Sequence, residues 1–129
     1  MKKLVLALLS AALIFGATAR LAAADAAPKT VIHVVTVAFK EGTTPEQIQA
    51  ALDGARNLTK TYPGIRRVWI KTLKVQNPRG TEVPRTHVIA MEFASEKALA
   101  EYADSDAQKK WYETYVPIRA QSSSFDVTN

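Results

Sequence analysis

The sequence predicts a single α+β domain, a split βαβ sheet with its helices on one face. Two observations carry that prediction. A strand pattern occurs twice: His33-x-Val35-x-Val37-x-Phe39 returns as His87-x-Ile89-x-Met91-x-Phe93. Apolar alternation over this length marks a half-buried strand, and each copy runs into a helix-start signal. The resulting order, β-α-β-β-α-α-β, is that of two similar halves sharing one sheet.

Each element has its own justification. The first strand, Thr30 to Phe39, sets a bulky face (His33, Val35, Val37, Phe39) against a smaller one (Val34, Thr36, Ala38), so the bulky face is expected to meet helices. Thr44-Pro45-Glu46-Gln47 supplies an N-cap hydroxyl, proline at the first helical position and glutamine at the third, a capping box. Ile48, Ala51, Leu52, Ala55, Leu58 and Tyr62 then recur at helical spacing until Pro63-Gly64 stops the helix. Ile65 to Val75 reads as a second, basic strand, with Val68, Ile70 and Thr72 on one face and Trp69, Lys71, Leu73 and Val75 on the other. A proline-bounded polar loop from Gln76 to Pro84, the best candidate for a mobile rim, leads to strand three, Arg85 to Phe93. Ser95 caps a short helix bearing Ala98, Leu99 and Tyr102. Asp104-Ser105-Asp106 breaks it and caps the next, whose apolar edge is Trp111, Tyr115 and Ile118 and which stops near Pro117. Ser122 to Val127, alternating Ser124 and Asp126 with Phe125 and Val127, reads as the closing strand. One face of such a sheet has no helix to cover it, so a second subunit is expected there.

The first 26 residues are set apart from the domain at 27–129. A basic start (Met1-Lys2-Lys3), an apolar run from Leu4 to Ala19 and small-x-small sites at Ala22-Ala23-Ala24 and Ala24-Asp25-Ala26 are the layout of a secretory signal peptide. The run is shorter than the roughly 20 residues that span a bilayer, so cleavage without stable membrane insertion is expected, with a periplasmic or secreted product. Removing this segment takes Lys2, Lys3, Arg20 and Asp25 with it and lowers the formal net charge from +5 to +3, which weakens any case for nucleic acid. The chain has no cysteine, which excludes a thiol nucleophile and a thiolate metal site. A domain this small must then be stabilised by packing, and a homodimer contact is expected to supplement it.

Taken together, Val31 to Ile48, Pro63-Gly64-Ile65, Thr86 to Phe93 followed by Ser95 and Leu99-x-x-Tyr102, and finally Phe125-Asp126 resemble the stress-responsive dimeric α/β-barrel domain family. The resemblance covers nearly all of 27–129. It implies a ferredoxin-like monomer whose sheet pairs with that of a second copy to close a barrel, with the helices outside. Some members are cofactor-free enzymes, among them a plant polyketide cyclase with a Tyr and a His as acid/base pair in a pocket between sheet and helices. The resemblance carries that Tyr to Tyr102. The His belongs to a His-Pro-Ala-His stretch that this chain replaces with Ser105-Asp106-Ala107-Gln108. A glutamine at 108 can orient a ligand but cannot shuttle a proton.

The candidate site follows. Tyr102 and His33 are the candidate catalytic pair, since imidazole is the side chain that exchanges protons near neutral pH. His33, His87, Leu99, Tyr102, Gln108 and Trp111 are the candidate ligand-binding residues. Packing in core and interface accounts for most of the remaining aromatics, Tyr112 and Tyr115 included. No metal site is expected: each histidine begins its own antiparallel strand, which separates the rings by about 20 Å. Glu92, on a central strand, is expected to be a buried, hydrogen-bonded interface residue, and the basic residues of the strand two to three hairpin a solvated edge. The leading expectation is an exported dimeric barrel that binds a small, largely apolar or aromatic molecule, with no cofactor and without established catalysis. The alternatives are a cofactor-independent cyclase, isomerase or oxygenase using Tyr102 and His33, and a stress-linked structural dimer with no ligand.

Overall fold

The computed structural model describes residues 29–74 and 83–128. The expected signal peptide, and the loop from Gln76 as far as residue 82, lie outside the described residues. The order is β1 (Val31–Phe39), α1 (Pro45–Thr61), β2 (Ile65–Thr72), β3 (His87–Phe93), α2 (Glu96–Tyr102), α3 (Asp106–Tyr115), a 3-10 turn (Val116–Ile118) and β4 (Arg119–Val127). The four strands form one antiparallel sheet in the order β2-β3-β1-β4. This is the ferredoxin-like arrangement.

Local chemistry sets the boundaries. Thr44 Oγ1 accepts the Gln47 N–H and Gln47 Oε1 accepts the Thr44 N–H, so two of the unpaired donors at the start of α1 are satisfied reciprocally. Ser95 and Ser105 accept the N–H groups of Ala98 and Gln108 in the same manner. Between α2 and α3 the chain reverses through Asp104, whose φ of 62° is tolerated because a short polar side chain can occupy the left-handed region. β4 starts at Arg119 rather than Ser122, because the turn containing Pro117 ends at Ile118 and pairing with β1 resumes at once, Phe39 opposite Arg119.

The bulky strand faces meet the helices. Val31, Val35, Val37, Ile65, Ile89, Met91 and Phe93 pack against Ala51, Leu52, Ala55 and Leu58 of α1 and against Tyr102, Trp111, Tyr115 and Ile118. Full burial of aliphatic and aromatic side chains such as Ile89 and Phe93 contributes about 1.5 to 3 kcal/mol each. Trp111 Nε1–H donates to the Ala51 carbonyl at 2.9 Å, tying α3 to α1.

No described helix covers the opposite face. Val34, Val88 and Ala90 lie there, with Trp69 opposite Ala90 and Phe125 opposite Val34, and Trp69 and Phe125 are exposed. Glu92 lies on this face, only 6% exposed, and its Oε2 accepts from Arg67 Nε at 2.7 Å.

Gly64 turns the chain from α1 into β2. A Cβ at this position would meet Tyr62 Cε1 at 2.4 Å and Ala98 Cβ at 3.0 Å. The Tyr62 ring cannot simply swing aside, because its hydroxyl donates to the Ala98 carbonyl at 2.6 Å. Gly64→Ala is therefore expected to destabilise the fold by about 1 to 3 kcal/mol, measured as a lowered urea midpoint. An unchanged midpoint would show that the ring is not pinned.

Candidate functional site

A cavity of about 110 Å³, partly open to solvent, lies between the β1/β4 side of the sheet and α2 and α3. Its walls are Val35, Met91, Trp111 and Tyr112, and its polar lining is His33, Tyr102, Gln108, Tyr115, Arg119, Ser122 and Ser124. The volume is somewhat below the roughly 150 Å³ that takes up a benzene ring, so the scale is one small ring or a fragment of similar size.

Strand register builds the sheet side. His33 stands opposite Asp126, Val35 opposite Ser124 and Val37 opposite Ser122. Partners across a ladder share a face, so β4 directs Ser122, Ser124 and Asp126 toward the helices and leaves Ser123, Phe125 and Val127 outside. His33 Nδ1 is 2.6 Å from Asp126 Oδ1. A carboxylate only accepts, so in the neutral imidazole the proton sits on Nδ1 and Nε2 keeps its lone pair.

The helices supply the other side. Tyr102 is 3% exposed, and its ring is held against Phe93 and Tyr62 at centroid separations of 5.2 and 5.3 Å. Its hydroxyl has no hydrogen-bond partner among the described residues. Burial, with smaller contributions from Tyr112 and Tyr62, pushes its pKa far above the ordinary phenol value, so it serves as a hydrogen-bond donor and not as a phenolate. Gln108 Oε1 accepts the Asp104 N–H at 2.8 Å, which leaves the carboxamide NH2 as the donor available to a ligand. Trp111 stacks on Tyr115 at 4.6 Å, and the Tyr115 hydroxyl, also buried, has no partner among the described residues.

Four of the sequence candidates, His33, Tyr102, Gln108 and Trp111, thus line one cavity. His87 and Leu99 do not. His87 pairs with Val37 where His33 pairs with Met91, which places the rings four ladder steps apart, roughly 13 Å of strand rather than 20 Å. That is still beyond shared coordination. His87 packs edge-on against Phe39, contacts Thr86 Oγ1 at 2.9 Å, and burial lowers its pKa. Leu99 belongs to the core, and Tyr102, one helical turn on, takes the cavity side of α2. Among the described residues no group of three His, Cys, Asp or Glu side chains is placed to hold a metal. No described helix is long and apolar enough to cross a membrane.

Sequence reasoning missed Asp126, Arg119, Ser122, Ser124 and the hydroxyl of Tyr115 as site residues. The alternation of Ser122, Ser124 and Asp126 along one face of β4 was the available signal.

A profile of the stress responsive A/B barrel domain matches residues 31–129. The chain belongs to that family. It is 31% identical over 71 residues to the stress-response A/B barrel domain-containing protein HS1 of Arabidopsis thaliana, an overlap that spans 54% of this chain and 62% of that protein. Among solved structures it is similar to the hydroxynitrile lyase of Passiflora edulis (16% identity, 80% of this chain and 95% of that one, TM-score 0.65). It is also similar to a dimeric ferredoxin-like protein of unknown function from Thermobifida fusca (12% identity, 78% and 91%, TM-score 0.61). At these identities the structural matches establish the fold.

The raised Tyr102 pKa has a consequence for stability. The folded protein keeps a proton that the unfolded chain releases near pH 10, so the stabilisation is complete below that pH and falls as pH rises above it. Tyr102→Phe is expected to flatten this alkaline decline, read as a smaller change in urea midpoint between pH 9 and 11. An unaltered decline would place the phenol in contact with solvent.

Proposed function

We propose that this protein is an exported homodimeric A/B barrel whose cavity binds a small molecule of about one ring in size. The ligand has an apolar body set against Val35, Met91 and Trp111 and at least one oxygen that accepts a hydrogen bond. The observation that carries this reading is Tyr102, which lines the cavity and whose hydroxyl is buried without a partner among the described residues. An unsatisfied buried donor costs about 1 to 3 kcal/mol, and a ligand oxygen recovers that cost.

Mass spectrometry of small molecules that co-purify with the native protein tests the reading. Tyr102→Phe should retain the ligand about ten- to a hundredfold less well, equivalent to about 1 to 3 kcal/mol, while the ligand-free fold is no less stable. Absence of any retained molecule, with Tyr102→Phe indistinguishable from the parent, would leave a structural dimer as the better account.

Dimerisation is supported by the helix-free face, where Trp69, Phe125 and Val127 are exposed beside Val34 and Ala90. It is supported too by the dimeric state given for the Thermobifida fusca neighbour. Light scattering at micromolar concentration should give twice the monomer mass, and Ala90→Arg should halve it. A monomeric parent protein would refute this part. Export is supported by the N-terminal layout alone, and the intact mass of protein from the native host should show cleavage after Ala24 or Ala26.

A second reading, a cofactor-independent enzyme on the same cavity, is favoured by the His33–Asp126 pair. His33 Nε2 would take a proton from carbon next to a ligand carbonyl. Asp126 would stabilise the imidazolium, Tyr102 would donate to the developing oxyanion, and the proton would return from Nε2 to the product. The neighbouring lyase shows that one similar fold supports catalysis. Here His33→Asn should abolish turnover and leave ligand retention largely intact.

A further inference from the structure

The cavity has a second polar end, separate from Tyr102 and built around a cation. Arg119, the first residue of β4, lies on the cavity wall with its guanidinium carbon 5.5 Å from the centre of the Tyr115 ring. Among the described residues it makes no ion pair within 4.0 Å. Tyr115 also lines the cavity and is 2% exposed, and its buried hydroxyl has no partner within hydrogen-bond geometry among the described residues. Burial raises its pKa, and Ser122 and Arg119 lie near enough to oppose that rise. One cation, the Tyr115 phenol and the Ser122 hydroxyl therefore converge on the same end. Asp126, seven residues further along β4, is engaged by His33.

We propose that this end is a carboxylate subsite and that the cavity takes small monoanionic carboxylates whose planar apolar body reaches toward Tyr102. The proposal rests on the reading that the cavity binds a ligand, and it names the chemical class. A guanidinium presents planar donors that match a carboxylate, and Tyr115 and Ser122 can each donate to it once the anion is seated. The cavity, about 110 Å³ and partly open to solvent, is too small for an extended chain and holds a single-ring carboxylate with part of it in the open mouth. Without such a ligand, the Arg119 guanidinium over Tyr115 is only a cation–π contact of the kind found on many surfaces.

A matched pair of probes separates these accounts. Benzoate and benzamide share shape and differ in charge, and their dissociation constants can be compared on the mature dimer by calorimetry, with cavity residues followed by NMR shifts. Benzoate is expected to bind at least tenfold more tightly than benzamide at low salt. Arg119→Gln should reduce that ratio to about two or less without altering the melting temperature, and Arg119→Lys should give an intermediate ratio. Tyr102→Phe should leave the benzoate-to-benzamide ratio unchanged, because the charge of the probe is read at Arg119 and not at Tyr102. Equal affinities in the parent protein, or a preference that survives Arg119→Gln, would overturn the carboxylate subsite and leave the cavity reading standing. Failure of both probes to bind would overturn the two together.

Discussion

The register between β1 and β4 is the constraint on which the site depends. Side chains alternate along a strand with a period of two, so pairing His33 with Asp126 also turns Ser122 and Ser124 toward the helices. A slip of one residue would bring Phe125 and Val127 inward and move Asp126 to the opposite face. The core would then fill with apolar side chains, and neither the cavity nor the His–Asp pair would exist. β4 is thus folded against the usual pattern of apolar residues inward, and the departure coincides with the place where polar chemistry collects. The same departure puts Phe125 on the helix-free face, where it joins Trp69.

The helical side meets this strand with aromatic side chains of nearly fixed position. Trp111 is anchored to the Ala51 carbonyl and stacked on Tyr115, while Tyr102 is wedged between Phe93 and Tyr62. Rigid rings hold their hydroxyls in place with little conformational entropy left to lose. The two phenols with no partner among the described residues are a standing cost to the folded state, offset by the area their rings bury. Packing alone would have been served as well by phenylalanine at both positions.

Much of the fold was legible in the sequence, for reasons that are local. The repeated strand pattern, the Thr44 capping box, the serine caps at 95 and 105 and the stop at Pro63-Gly64 act within a few residues of where they are written. The convergence of His33, Tyr102, Gln108 and Trp111 on one cavity followed the resemblance to the family. Asp126 was not legible as a partner of His33, because the two are 93 positions apart. Their pairing also depends on a register that shifts at Ala38/Phe39. Arg119 escaped notice for a related reason: β4 starts three residues earlier than the run of serines suggested. His87 and Leu99 share a pattern or a helix with true lining residues but stand too far along the strand or one turn away.

The β1/β4 register is tested by whether Asp126 sets the tautomer of the His33 ring. Long-range proton–nitrogen correlation spectra of the histidine rings read this directly. The neutral His33 imidazole is expected as the Nδ1–H tautomer with an unprotonated Nε2, and Asp126→Asn is expected to change this pattern while His87 keeps its own. A His33 ring found as the Nε2–H tautomer, or unaffected by Asp126→Asn, would contradict that register.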